Sequence, residues 1–432
     1  MLQTGLVRSW RDELRYHAVL RVGVISLESS STSGGAHTFE SEIVRGLFDK
    51  TPVPGIDWIV ITPHDGVITE VSADCTPIQR VALSLRARDH KLGLGLKWFK
   101  SHLKSLVSGS RFRDKSERRS EFFAEKLRFL DLHVLWYLSP FPVTREIPYV
   151  LTVWDIQHRL QPWFPEVSSN GIWMQREIGT ASQYQRSTFI ITGNKVGAAQ
   201  LEFAYSIPNE RILINSLPVP TDAVRYWENT KVTEAIVLWR KGIGNFVLYP
   251  AQFWAHKNHK VLLEALFHIK ATSDDIPTLI FTGNDKGNFD YVASLIENLG
   301  LSKHVINLGF VSRSDLLYLY SEATLLAFPS LFGPDNIPPL EAMAIGCPVL
   351  VADDQGMREQ LGAAALHLSP TDPLEWSKAI ITLTQDAELR ATMVNLGKKR
   401  IERYKTDQYI DKVQNRLLDF KKIRETWSLN NE

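Results

Sequence analysis

Cysteine is nearly absent from this chain, which has two in 432 residues, Cys75 and Cys347. Two cysteines so far apart in sequence do not make a disulfide framework, so the fold has to rest on a buried core. A chain of this length can bury such a core without covalent cross-links or metals. We therefore expect a protein of a reducing, cytoplasmic compartment.

Long apolar runs and an excess of one charge are also missing. No stretch approaches the roughly 18–20 apolar residues of a membrane-spanning helix, and the first residues lack the apolar run of a signal peptide. The formal net charge is +1, from 49 basic and 48 acidic residues, which gives no support to nucleic-acid binding. The composition predicts a soluble globular protein of two or three domains.

Short apolar runs alternate with amphipathic helical patterns along the chain. The first half predicts strands at residues 21–26, 58–62, 132–138, 149–154, 188–192 and 212–217, with a helix over 36–48. The second half repeats the pattern with strands at residues 246–249, 278–282, 305–308, 325–328 and 349–352. Such alternation predicts two α/β halves with parallel sheets, divided within the polar stretch 222–245 and followed by helices over 375–422.

The segment from Phe332 to Pro348 carries the most specific pattern. Its first residues, through Asn336, are turn formers. Two prolines then stand where a helix begins, and Gly346 and Pro348 stand where that helix ends. We predict a loop that leads into a short helix whose N-terminus can bind an anion.

Glu341 is predicted to lie in the first turn of this helix. A carboxylate there suits a sugar diol beside a phosphate, because it can accept two hydroxyl hydrogen bonds. The alternative is that Glu341 interacts favourably with the helix dipole and binds no ligand. Local physics leaves these two alternatives about even.

The motif resembles a known family. Pro329-Ser330-Leu331-Phe332, Pro338-Pro339-Leu340-Glu341-Ala342-Met343-Ala344, Gly346 and Pro348-Val349 resemble the signature of retaining glycosyltransferase family 4, the glycosyl transferases of group 1. The resemblance implies the GT-B fold: two Rossmann-like α/β domains that face a cleft, with C-terminal helices crossing back to the first domain. It covers most of the chain and is most specific in the C-terminal half.

The resemblance assigns donor-binding roles to residues of the second half. It implies that Glu341 binds the ribose hydroxyls of the nucleotide and that Lys257 binds the diphosphate. Other positions of the loops that are implied to contact the donor are Gly35, Gln252, Gly283, Asn284, Phe310, Val311, Gly333, Asp335, Asn336 and Ile337. Without the resemblance, Lys257 reads as a solvated loop lysine and Phe310 as a core residue.

Three positions depart from the family pattern. Gly333 stands where a glutamate usually contacts the donor sugar, and Asp335 could supply a carboxylate from the same loop. Gln252 stands where an arginine is expected. Trp154 replaces a histidine that often faces the reacting sugar.

Asp155 and His158 are the catalytic candidates. They follow a predicted strand in Thr152-Val153-Trp154-Asp155-Ile156-Gln157-His158, which resembles a family segment at the acceptor side of the cleft. An acid at such a strand end can orient an acceptor hydroxyl or take its proton, and a histidine titrates in the useful range. Asp155 can instead cap the following turn.

A basic segment stands apart from the resemblance. Residues 86–119 contain eleven basic and three acidic residues, and leucines and aromatic residues recur there at helical spacing. The pattern is typical of a helix on an anionic membrane surface, and equally of a helix packed on its own domain with lysines in water. No nucleic-acid motif accompanies the charge.

We therefore expect three units: an acceptor-side domain at residues 1–225, a nucleotide-sugar domain at 226–405, and a returning helix at 406–432. The expected function is transfer of a sugar from a nucleotide sugar to a glycan or lipid-linked acceptor, with retention, in cell-surface polysaccharide assembly. No metal-ligand spacing is visible, and the resemblance implies no cofactor. The alternative is a non-catalytic sugar-nucleotide-binding or scaffold protein of the same fold.

Overall fold

The computed structural model describes residues 19–26, 34–51, 54–62, 78–82, 120–229 and 232–427. These residues form two parallel sheets covered by helices. The predicted basic segment at residues 86–119 lies outside the described residues.

The strands and helices alternate as a parallel architecture requires. The first sheet contains β1 (Leu20–Ile25), β2 (Ile56–Thr62), β3 (Ile78–Ala82), β4 (Val134–Tyr137), β5 (Tyr149–Thr152), β6 (Phe189–Thr192) and β7 (Ile212–Ile214). The second contains β8 (Phe246–Pro250), β9 (Thr278–Thr282), β10 (Val305–Asn307), β11 (Leu325–Phe328), β12 (Val349–Ala352) and β13 (Leu366–Leu368).

The helices of the first half are α1 (Gly35–Asp49), α2 (Gln157–Leu160), α3 (Pro165–Ser168), α4 (Ile172–Glu177), α5 (Thr180–Arg186), α6 (Lys195–Tyr205), α7 (Thr221–Val224) and α8 (Tyr226–Asn229). A further helical stretch covers residues 120–127. The second half contains α9 (Glu234–Arg240), α10 (His259–Thr272), α11 (Phe289–Asn298), α12 (Arg313–Glu322), α13 (Ile337–Ile345), α14 (Gln355–Leu361), α15 (Pro373–Gln385), α16 (Ala387–Ile401) and α17 (Thr406–Arg424).

Both sheets are doubly wound. Their strand orders are β3-β2-β1-β4-β5-β6-β7 and β10-β9-β8-β11-β12-β13. The order reverses between β1 and β4 in the first sheet and between β8 and β11 in the second. Open sheets of this kind bind ligands beyond the carboxyl ends of the strands at such reversals.

The central strands form because their apolar runs are buried on both faces. All four residues of β4, β11 and β12 are buried, as expected for parallel strands covered by helices on both sides. The predicted strands are present within a few residues of their expected bounds. Two strands were not predicted: β3, which pairs with β2 from Trp58 to Thr62, and β13, which pairs with β12.

Helix α13 has the predicted start and stop signals. It begins at Ile337, and its two prolines lie in the first turn. Gly346 ends it in the left-handed region, with φ of 98°, and donates its N–H to Ala342 O at 3.0 Å. Glycine is favoured there because a Cβ would be strained at positive φ.

The two cores are joined by two adjacent crossings of the chain. Leu217 packs in the core of the first sheet and Val219 in the core of the second, a few residues before the division expected after residue 225. Val219 N–H donates to Tyr404 O at 2.8 Å, so the outgoing and returning segments lie side by side. After Tyr404, the chain returns to the first domain.

Helix α17 completes the first core. Its residues Tyr409, Ile410, Val413 and Leu417 are buried among the apolar side chains of the first sheet. The Tyr409 ring stacks on Trp136, with centroids 6.4 Å apart. The expected crossing back of the C-terminal helix is therefore confirmed. None of the helices in the described part of the chain has the length and apolarity needed to cross a bilayer.

Candidate functional site

A cavity of about 490 Å³ lies between the two domains. Its walls come from the start of α1 and the loop after β5 in the first domain, and from the loops after β8, β9, β10 and β11 in the second. It therefore lies where the two strand orders reverse, which is the expected ligand position in both sheets.

The residues predicted to contact the donor all line this cavity. They are Gly35, Gln252, Lys257, Gly283, Asn284, Phe310, Val311, Gly333, Asp335, Asn336, Ile337 and Glu341. Asp155 and Trp154 line it from the first domain. The structure thus brings these residues together, and their individual binding roles stay predictions.

The start of α1 forms one wall of the cavity. Gly34 precedes the helix, and no side chain caps it. The N–H groups of Gly35 and Ala36 therefore have no partner within the helix, and the positive end of the helix dipole points to the cavity wall. This end of α1 can bind an anion.

Two glycines are required by the backbone of the second domain at the cavity. Gly283 has φ of 141°, and a Cβ there would lie 2.4 Å from Ala251 O. Gly333 has φ of 89°. A glutamate at residue 333, the family's usual residue, would be strained in this conformation. Glycine at residue 333 is thus tied to the positive φ of this loop.

Lys257 is a buried cation in the second domain's wall of the cavity. Its ammonium donates to Ser330 Oγ at 3.2 Å and lies 5.2 Å from the centroid of the Phe328 ring. Burial lowers the pKa of Lys257 to about 8, although Asp155 and Glu166 act in the opposite direction. An anionic ligand would raise this pKa again, because it would stabilise the charged form.

Glu341 is buried and held by two side chains. Its Oε1 accepts from Arg313 Nη1 at 2.5 Å, and its Oε2 accepts from Tyr320 OH at 3.1 Å. Arg313 also binds both carboxylate oxygens of Asp222, at 2.8 and 2.7 Å. Burial lowers the pKa of Arg313, but the carboxylates of Glu341 and Asp222 outweigh it and raise the pKa.

The predicted position of Glu341 in the first helical turn is wrong. Helix α13 begins at Ile337, so Glu341 is its fifth residue. The helix dipole acts mainly within the first turn, so it contributes little to holding Glu341. Pro338 and Pro339 carry no N–H, which also leaves this helix start with fewer donors for an anion than an ordinary helix has.

Asp335 is committed to the contact between the domains. Its Oδ2 accepts from Leu217 N at 3.0 Å, and Gln360 donates to its Oδ1. Burial raises the pKa of Asp335 to about 7. Both oxygens therefore have protein partners, and the carboxyl is partly protonated at neutral pH. The suggestion that Asp335 replaces the missing glutamate is not supported by this geometry.

Asp155 lies in the cavity wall, and its side chain is partly exposed. Its Oδ1 accepts from Gln157 N at 2.9 Å and from Arg176 Nη2 at 3.3 Å, and the exposed fraction is 30%. The predicted turn cap is thus present, and the side chain still borders the cavity. The structure is thus compatible with both predicted roles of Asp155, the turn cap and the contact with an acceptor.

His158 is not at the cavity. It is buried, with 2% of its surface exposed, and its Nε2 lies 3.1 Å from both Glu177 Oε2 and Tyr205 OH. Burial lowers the pKa of His158. The structure contradicts a direct catalytic role, because helix α2 turns this side chain into the first domain. His158 is a structural residue here.

Glu166 and His256 form a contact across the cavity that the sequence reading did not find. Glu166, in α3, accepts from His256 N at 2.9 Å, and its Oε1 also pairs with His256 Nδ1. Burial lowers the pKa of His256 to about 4, so the ring is neutral. Because a carboxylate only accepts, Nδ1 carries the proton. The ring stacks on Phe332, with centroids 4.0 Å apart.

Arg313 and Arg176 also line the cavity and were absent from the prediction. Arg313 begins a helix directly after Val311-Ser312, and Val311 was predicted to contact the donor. Its position in the sequence could therefore have identified it. Glu166 follows the segment that contains Asp155 and was equally visible. Within the described residues, no group of three or more histidines, cysteines and acids is arranged to hold a metal.

Comparison with known proteins bears on the second domain first. Residues 239–400 match the family described as "Glycosyl transferases group 1". This part of the chain is a group 1 glycosyl transferase domain. Glu341, Lys257 and Arg313 all lie within this domain, and the predicted match to the glycosyl transferases of group 1 is confirmed for these residues.

Two curated relatives match parts of the chain. The O-antigen chain mannosyltransferase RfbU of Salmonella typhimurium is 33% identical over 157 residues, which cover 36% of this chain and 42% of the relative. O-antigen chain mannosyltransferase B of Escherichia coli is 25% identical over 201 residues, which cover 46% and 52%. The chain thus spans about half the length of these relatives. The predicted class of enzyme agrees with both.

A solved structure matches nearly the whole chain. The crystal structure of Anabaena Alr3699/HepE in complex with UDP-glucose has a TM-score of 0.62 at 17% identity and covers 93% of this chain and 100% of that one. At this identity the match bears on the fold alone. The two-domain GT-B fold around the glycosyl transferase domain is confirmed.

Proposed function

We propose that this chain is a glycosyltransferase that moves a hexosyl group from a nucleotide sugar to a glycan or lipid-linked acceptor, with retention of anomeric configuration. The observation that carries the proposal is the pairing of Lys257 and Glu341 on one wall of an interdomain cavity, within a group 1 glycosyl transferase domain. The O-antigen relatives support a role in polysaccharide assembly and make mannose the first sugar to test.

The donor would lie along the second domain. Glu341 would accept hydrogen bonds from the ribose hydroxyls, and Phe310, which is 52% exposed at the cavity, would border the base. The diphosphate would lie between Lys257 and the start of α1. When the bond from the anomeric carbon to the phosphate oxygen breaks, the diphosphate leaves with the electron pair. Lys257 and the helix N–H groups would stabilise that developing charge.

The acceptor would enter from the first domain. Asp155 would accept a hydrogen bond from the acceptor hydroxyl and so direct its oxygen to the anomeric carbon. Arg176 fixes Asp155 and keeps a positive charge beside it. The acceptor oxygen would form the new bond to the anomeric carbon on the face that the diphosphate leaves, and its proton would pass to Asp155. Bond formation on that face gives the retention implied by the family resemblance. We further propose attachment to an anionic membrane surface through residues 86–119, on the sequence pattern alone.

The proposal is tested by titrating the protein with a panel of nucleotide sugars that includes GDP-mannose and UDP-glucose, and by measuring slow donor hydrolysis. We expect one donor to bind and to be hydrolysed, and acceptor extracts to accelerate its consumption. Absence of binding by every donor would remove the proposal. Binding without turnover, even with acceptor extracts, would instead favour the non-catalytic scaffold.

The affinity for the nucleotide sugar is expected to depend on pH through Lys257. In the free protein the pKa of Lys257 is about 8, and it rises when the diphosphate binds. Below about pH 8 the lysine is charged in both states, so the affinity is at its maximum. Above that pH, binding must take up a proton, and the affinity falls by up to about tenfold per pH unit until the pKa of the bound state is reached. Isothermal titration from pH 6.5 to 9.5 measures this decline.

Lys257→Arg is the control for the pH dependence, because a guanidinium stays charged over the whole range. Its affinity should be flat between pH 6.5 and 9.5, even where its absolute value differs. A decline in this variant equal to that of the wild type would assign the titration to another group.

A further inference from the structure

Glu166, in the cavity wall, has hydrogen-bond partners at only one of its two carboxylate oxygens. It comes from the first domain, and Oε1 accepts both the backbone N–H and the Nδ1–H of His256 in the second. The other oxygen, Oε2, is buried and has no hydrogen-bond partner in the described structure. The side chain is 6% exposed.

The charge of this carboxylate is maintained. Burial raises the pKa of Glu166, but the hydrogen bonds from His256 outweigh burial, and the pKa is lowered. An ionised oxygen without a donor is costly in a buried site, because its solvation is lost and not replaced. A hydroxyl is a suitable partner, since it donates one short hydrogen bond and brings no charge.

The surroundings of Glu166 suit a sugar. Its neighbours in the cavity wall are Lys257, which senses its charge, and the stacked rings of His256 and Phe332. Phe164 packs edge-on against Phe332, with centroids 5.0 Å apart. A carboxylate can bind the hydroxyl groups of a hexose, and aromatic rings can pack against its apolar C–H faces. Both lie next to Lys257, the cation proposed to bind the diphosphate.

We propose that Glu166 is a sugar-positioning residue: its carboxylate binds a hydroxyl group of the sugar to be transferred. The inference rests on the proposed function and adds that the first domain contributes to recognition of the donor sugar. His256 fixes the carboxylate, and the sugar bridges the two domains next to Lys257. Bound sugar thereby supplies the partner that Oε2 lacks.

The competing interpretation is that Glu166 only joins the two domains. The chain offers a matched control for it. Glu359, in α14, is another carboxylate that crosses between the domains, and both of its oxygens lie 3.1 Å from Lys195 N. Glu359 is not among the residues that line the cavity. The variants Glu166→Gln and Glu359→Gln therefore each weaken a contact between the domains, one at the cavity and one away from it.

The test measures the affinity of both variants and the wild type for a nucleoside diphosphate and for the matching nucleotide sugar. We expect Glu166→Gln to bind the diphosphate as the wild type does and the nucleotide sugar about tenfold more weakly, because a charged acceptor becomes neutral. Glu359→Gln should leave both affinities unchanged. Thermal unfolding of each variant checks that the fold is intact.

A second measurement changes the ligand as well as the protein, and its wild-type arm does not depend on how the variant folds. Nucleotide sugars with one hydroxyl replaced by fluorine are titrated into the wild type and into Glu166→Gln. One position should cost the wild type about tenfold in affinity and cost the variant little further.

Three results would overturn the inference while leaving the proposed function standing: unchanged affinity of Glu166→Gln for the nucleotide sugar, equal loss for both ligands, or the same loss in Glu359→Gln. A wild-type protein that binds the diphosphate but no nucleotide sugar would overturn the proposed function itself.

Discussion

Lys257→Met is expected to lower the rate of donor consumption by roughly 100- to 1,000-fold, the usual effect of removing one group that stabilises the leaving charge. Methionine retains much of the apolar stem that packs near Phe328 and removes the ammonium. Loss of the ammonium removes the cation opposite the diphosphate, so the effect should appear in kcat as well as in donor affinity. Steady-state kinetics with the donor that the nucleotide-sugar panel identifies measures both.

The same substitution separates a functional from a structural lysine. Burial disfavours the charged form of Lys257, so the unliganded variant should unfold at the same or a higher temperature than the wild type. Lys303→Ala, at an exposed lysine of the same domain, is the control and should retain wild-type kinetics. A fall in unfolding temperature that accompanies the loss of activity would assign Lys257 a structural role.

Glu341→Gln is expected to weaken binding of the nucleoside diphosphate and of the nucleotide sugar equally, by roughly 10- to 100-fold. The ribose is common to both ligands, and hydrogen bonds to a charged acceptor are the strong ones. This equal loss differs from the selective loss expected for Glu166→Gln. Isothermal titration with both ligands distinguishes the two carboxylates.

Arg313 complicates the reading of Glu341, because the two side chains are paired at 2.5 Å. A double-mutant cycle with Arg313→Met resolves it. If Glu341 contacts the ribose, Glu341→Gln will lower nucleotide affinity in the Arg313→Met background too. If Glu341 serves only to hold Arg313, the second substitution will have no further effect on affinity, and the ribose role will have to be abandoned.

The fold could be predicted from the sequence because its signals are local. Runs such as Val134–Tyr137 and Val349–Ala352 are apolar throughout, as buried parallel strands require. Gly346 ended α13 where its sequence position indicated. Strand β3 escaped notice because Ile78–Ala82 carries two polar residues in five and lies at a sheet edge, where burial constrains the sequence less.

The site was predictable in position and less so in chemistry. The strand-end loops brought the expected donor residues to one cavity, because doubly wound sheets fix where such loops meet. The pairing of Glu341 with Arg313 and of Glu166 with His256 joins residues 28 and 90 positions apart, and no local pattern encodes it. The partners of His158 Nε2 and of the Asp335 carboxyl could not be predicted for the same reason, because they too are distant in the sequence.

The return of α17 to the first domain has a consequence for how the protein is made. Tyr409, Ile410, Val413 and Leu417 are part of a core whose other members precede residue 218 or belong to α13. During synthesis, the first domain emerges from the ribosome with Phe39 and Trp136 lacking their Tyr409 neighbour. That core can close only after the second domain has been translated, so the nascent chain depends on its final segment, and an early stop would leave apolar surface open to aggregation.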